Sequence, residues 1–138
     1  MKILLVDDEP VILEVLKNIL ENLGYKVVLA NDADKATDIL SSDAFDIVIT
    51  DYNLPTEHST KCFNGAELTT FIKEVSPATS VILISGTIDS ELEEIAREAG
   101  ADRLLEKPFP MDDLKEAIAS LEKRDLQPQP NLKECVCS

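Results

Sequence analysis

Short apolar runs alternate with longer stretches of helical periodicity along most of the chain. Lys2–Val6, Lys26–Ala30, Phe45–Thr50, Ser80–Ile84 and Arg103–Glu106 read as strands. Phe45–Thr50 is apolar nearly throughout, as a strand covered on both faces should be. Predicted helices lie between them. Pro10–Leu23 has proline in its first turn and Gly24 just past its end. Its Ile12, Val15, Leu16, Ile19, Leu20 and Leu23 recur at helical spacing and predict one buried face. Ala33–Ser41 and Asn64–Val75 follow. Ser90-x-x-Glu93 reads as a capping box opening a fourth helix, which Gly100 ends. Met111–Lys123 is the last, with Leu114, Ile118 and Leu121 on one face. Five strands alternating with five helices predict an α/β fold: a doubly wound, five-stranded parallel sheet with right-handed crossovers.

The polar residues that end these runs carry the candidate chemistry. Asp7 and Asp8 follow the first strand, Asp51 the third, Ser85 the fourth, and Lys107 the fifth. In a parallel sheet they meet in the crevice beyond the carboxyl ends, where open α/β sheets bind ligands. Three carboxylates there repel one another unless a cation joins them, and hard cations such as Mg²⁺ take all-oxygen sites. A carboxylate beside a cation, a hydroxyl and an ammonium is equipment for handling a phosphoryl group, since an attacking carboxylate forms an acyl phosphate. Each residue alone has an ordinary reading: acids near a helix start, a surface lysine, a strand-end serine bonded to its own backbone.

Asp7-Asp8, Asp51-x-Asn53-x-Pro55, Ser85-Gly86 and Lys107-Pro108-Phe109, in that order, resemble the receiver domain of two-component response regulators. The resemblance runs from Lys2 to about Arg124. It implies a flavodoxin-like or CheY-like sheet of order 2-1-3-4-5. It also implies an Mg²⁺-dependent transfer from the phosphohistidine of a sensor histidine kinase, or of a phosphotransfer protein, to Asp51. Asp8 and Asp51 are then direct metal ligands, Asn53 gives its backbone carbonyl, and Asp7 acts through water. Lys107 and Ser85 engage the phosphoryl oxygens, and the Lys107–Pro108 bond is expected to be cis. The outcome is a conformational switch that alters binding to an output partner, which the sequence does not name. Homodimers through the fourth-helix and fifth-helix face are a further family expectation. Such a domain catalyses its own phosphorylation and dephosphorylation and turns over no separate substrate.

Two departures stand out. Most receivers carry Tyr or Phe three residues before the lysine, and here that residue is Leu104. Receivers usually place a glycine about eight residues after the nucleophile, whereas Gly65 follows Asp51 by fourteen, so Thr56–Phe63 reads as an insertion suited to recognition. Its His58 and Cys62 are too few for a structural zinc site.

The formal net charge of −14 argues against direct nucleic-acid binding and against a basic membrane-surface patch. No apolar run approaches the roughly 20 residues that span a bilayer, and with the first strand starting at once no signal peptide is expected. Three cysteines make no disulfide framework, so a cytoplasmic setting is expected. Residues 1–124 are expected to form the domain. Residues 125–138 read as a tail containing proline and cysteine, and its terminal Cys135-Val136-Cys137-Ser138 matches a prenylation box only formally. Three other functions stay open: a degenerate receiver acting only as an interaction module, an aspartate phosphatase, and a flavodoxin-like cofactor binder. Asn53, where such phosphatases carry a second aspartate, and the lack of a hydroxyl- and glycine-rich loop after the first strand weigh against the last two.

Overall fold

The protein was described from a computed structural model covering residues 2–53, 64–107 and 109–126. The expectations for Pro55, the 56–63 insertion with His58 and Cys62, Pro108 and its peptide bond, and residues 127–138 lie outside the described residues.

The elements alternate without exception: β1 (Lys2–Val6), α1 (Pro10–Asn22), β2 (Lys26–Ala30), α2 (Ala33–Ser42), β3 (Ile47–Asp51), α3 (Gly65–Val75), β4 (Ser80–Ser85), α4 (Ser90–Ala99), β5 (Arg103–Glu106) and α5 (Met111–Leu126). All strand pairs are parallel, in the order β2-β1-β3-β4-β5. This is the doubly wound, flavodoxin-like and CheY-like sheet. Successive strand residues face opposite sides, so the apolar strands feed two cores. Ile3, Leu5, Ile47, Ile49, Ile82 and Ile84 pack against α1 and α5. Leu4, Val6, Val48 and Val81 pack against α2 and α3.

Several boundaries differ from the periodicity. β3 starts at Ile47, and Phe45 is a buried residue ahead of it. α5 runs three residues past Lys123. Asp89, not Ser90, caps α4: its Oδ1 accepts from Leu92 N at 2.8 Å. A carboxylate one residue earlier reaches the free amides of the first turn without needing a reciprocal glutamate. The capping box of the molecule opens α3 instead, where Asn64 accepts from Glu67 N at 2.8 Å and Glu67 Oε1 accepts from Asn64 N at 3.0 Å. Gly100 ends α4 at φ +98°, the left-handed conformation glycine adopts without cost.

The buried stripe of α1 is rotated from the expected one. Leu13, Leu16 and Leu20 are buried, while Val15 is 50% and Leu23 47% exposed. An unbroken apolar run such as Val11-Ile12-Leu13 fits more than one stripe, and packing onto β1 and α5 selects Leu13. Leu13→Ala should therefore cost about 2–5 kcal/mol of stability, and Val15→Ala should stay within about 0.5 kcal/mol. Urea unfolding checks this; equal costs would place the wrong face inward.

Candidate functional site: an acidic crevice at the strand ends

In-register parallel pairing brings the strand ends to one edge. Val6 pairs with Thr50, Asp51 with Ile84, and Ser85 with Glu106. Asp7, one residue past β1, is thus beside Asp51, and Lys107, one past β5, reaches across both. Lys107 Nζ lies 3.2 Å from Asp51 Oδ2 and 3.4 Å from Asp7 Oδ2. The Lys107 amide also donates to Ser85 O at 2.8 Å, which ties the end of β5 to the end of β4.

Asp7 and Asp51 are buried and Asp8 is exposed. One carboxylate oxygen from each lies within 4.8 Å of the other two. Asp7 is further engaged by the Glu9 amide, which donates to its Oδ1 at 3.0 Å. The Asn53 amide donates to Asp51, while the Asn53 residue itself is exposed at the rim.

Magnitudes show what governs this group. At an effective dielectric of about 20, Lys107 attracts each of its two partners by about 5 kcal/mol before solvent screening. That pull exceeds the push of the neighbouring carboxylate on Asp7 and on Asp51, and desolvation exceeds both. Burial accordingly raises the pKa of Asp51, against the lowering pull of Lys107 and the Asn53 amide. Burial likewise raises Asp7, against the Glu9 amide and Lys107. For Lys107 burial acts downward, but Asp51 and then Asp7 outweigh it, and its pKa is raised. Among the described residues the site is short of positive charge. The three converging carboxylates fit a divalent hard cation.

Ser85 is buried at the same edge, but its hydroxyl works within its own loop. It donates to Thr87 O at 2.9 Å and accepts from Thr87 N at 3.3 Å. Ser85, Gly86 and Thr87 line a cavity of about 350 Å³ together with Tyr52 and Asn53. Tyr52 went unmarked in the sequence, although its place between Asp51 and Asn53 put it at the crevice. Leu104, in place of the expected aromatic, is half-buried beside Ile88 and Ala96.

Residues 3–119 match the family profile of the response regulator receiver domain. The chain belongs to that family. A receiver domain is the phosphoacceptor module of two-component systems, not an enzyme turning over a separate substrate. The sensor histidine kinase RcsC of Salmonella typhi is 34% identical over 124 residues, covering 90% of this chain and 12% of that protein. The chain therefore spans about an eighth of that relative. Among solved structures, a response regulator receiver domain protein from Clostridium thermocellum is 32% identical with a TM-score of 0.79, covering 90% of this chain and 95% of that one. The response regulator TrrA of Thermotoga maritima, solved in complex with Mg(2+)-BeF, is 31% identical with a TM-score of 0.74, covering 87% of this chain and 97% of that one. Among the described residues no helix of the receiver is long and apolar enough to cross a membrane.

The raised carboxylates yield a signed pH dependence. A carboxyl whose folded pKa lies above its unfolded value contributes stability that is full below the unfolded value and lost as pH rises through the folded one. Asp51→Asn should then stabilise the protein at neutral pH in chelator, with the gain shrinking as the pH falls into the carboxylate range. Urea unfolding at several pH values measures it. A gain that grows on acidification would contradict the direction of the Asp51 shift.

Proposed function

We propose that Asp51 is the phosphoacceptor and that Asp7, Asp8, Asn53, Ser85 and Lys107 serve its phosphorylation. The observation that carries this reading is the buried Asp51 carboxylate, 3.2 Å from Lys107 and grouped with two more carboxylates at the edge of the sheet. The donor is a phosphohistidine on a sensor histidine kinase or phosphotransfer protein. A carboxylate oxygen of Asp51 attacks phosphorus; the O–P bond forms, the P–N bond breaks, and its electron pair stays on the donor imidazole. Water attack at phosphorus later releases inorganic phosphate and restores the carboxylate.

Asp8 and Asp51 would hold Mg²⁺ through their carboxylates and Asn53 through its backbone carbonyl, with Asp7 acting through water. Bound there, Mg²⁺ supplies the charge neutralisation that lets an anionic nucleophile approach an anionic phosphoryl group. The likeness to TrrA, which was solved with Mg(2+)-BeF, supports this choice of ion. Lys107 is already placed between Asp7 and Asp51 and adds a point charge for the phosphoryl oxygens. Ser85 leaves Thr87 and bonds a phosphoryl oxygen, drawing the 85–89 loop with it. That shift is the signal an output partner reads. With Leu104 on β5, the response travels through the loop rather than through a rotating aromatic ring. The 56–63 segment borders the site in sequence and is assigned to recognition of the kinase.

Incubation with a small phosphodonor and Mg²⁺, followed by intact mass and peptide mapping, tests the reading. One added phosphoryl group is expected, on Asp51, and none in Asp51→Ala. Steady turnover of the donor would point to a phosphatase, and no mass change to a binding module. A phosphoryl group on Ser85 or Asp8 would sink the assignment.

A further inference from the structure

We propose that Gly65 is a positioning residue for phosphoryl transfer: its lack of a side chain lets the first turn of α3 rest directly on the backbone of Asp51 and hold that carboxylate opposite Lys107. The proposal rests on the reading of Asp51 as phosphoacceptor. A methyl group built on Gly65 would press on the Asp51 carbonyl oxygen, come within 2.7 Å of Tyr52 Cα, and meet Leu83 Cδ1 at 2.9 Å. Two of those three neighbours are backbone and cannot swing aside. Glycine is needed here for space and not for its dihedral range, because the glycines with positive φ are Gly24 and Gly100.

The contact is also bonded on both sides. The Gly65 amide donates to Tyr52 O at 2.7 Å, and the Tyr52 amide donates to Ile84 O at 2.7 Å. The Gly65 carbonyl accepts from the buried Thr69 hydroxyl at 2.8 Å. Hydrogen bonds thus run from β4 through the Tyr52 backbone to the start of α3. Asn53 and Asn64 bracket a ten-residue connection whose two ends this bond already holds together. The position of Asp51 is therefore set by Gly65 and β4, and a change in the length of residues 54–63 does not reach it. This explains how a receiver tolerates the six-residue surplus ahead of its glycine.

Displacing a reacting group by about 1 Å costs on the order of a hundredfold in rate. Gly65→Ala should show that loss in the maximal rate of Asp51 phosphorylation by acetyl phosphate, which leaves as acetate, at saturating Mg²⁺, with the half-saturating donor concentration unchanged. Two comparison variants separate positioning from stability. Asn64→Ala removes the α3 cap and should lower the melting temperature while keeping the phosphorylation rate. Deletion within residues 56–62 should keep it too. Full-rate phosphorylation of Gly65→Ala, or an equal rate loss in Asn64→Ala or the deletion, overturns the proposal alone. Peptide mapping of the wild type to a residue other than Asp51 overturns the Asp51 reading and this proposal with it. If Gly65→Ala fails to fold by circular dichroism, amide exchange of the wild type decides. Coupling between sites is reciprocal, so Mg²⁺ with beryllofluoride should slow exchange at the Gly65 amide; unchanged exchange overturns the proposal.

Discussion

Like charges brought together at the end of an apolar sheet set the terms for this molecule. Asp7, Asp8 and Asp51 converge within 4.8 Å, and Lys107 reaches two of them. Two of the three carboxylates are buried, so the cost of removing them from water is added to their repulsion. The fold bears that cost because β1, β3 and β4 are apolar on both faces and pack against helices on each side. A carboxylate held in this way is costly without a partner cation and well placed once one arrives. Function and strain are here the same arrangement of charge.

Asp51 and Lys107 are held by the sheet, whereas Ser85 leads into a loop. Asp51 is the last residue of β3, bounded by the in-register ends of β1 and β4 and by the first residue of α3. Lys107 is tied to β4 through its own amide. Ser85 differs: its hydroxyl is satisfied by Thr87 two residues on, a local bond that a stronger acceptor can replace. The cavity beside it, lined by Gly86 and Thr87, gives the loop room to rearrange.

Much of this was legible in the sequence because parallel α/β folds concentrate their chemistry at strand ends. The apolar runs located β1, β2 and β4 to within a residue, and the residues that ended them marked the crevice. What failed depended on contacts between distant segments. The run Val11-Ile12-Leu13 left the rotation of α1 ambiguous until β1 and α5 chose Leu13. Ser90 and Asp89 are both residue types that cap helices, and the extended backbone at Asp89 selects it. Counting residues flagged Gly65 as displaced from the usual spacing. Counting could not show that it still lies on the backbone of Asp51. Nor could spacing reveal that Asp7 is already committed to Lys107 and the Glu9 amide while Asp8 remains exposed.

We propose the acidic crevice as a cation site completed by Asp8. Thermal unfolding of the wild type and of Asp8→Ala, each in chelator and in excess Mg²⁺, tests it most directly. A cation that binds only the folded state raises the melting temperature. The wild type should show that rise at constant ionic strength, and Asp8→Ala should lose most of it. No rise in the wild type, or the full rise in Asp8→Ala, would contradict the claim.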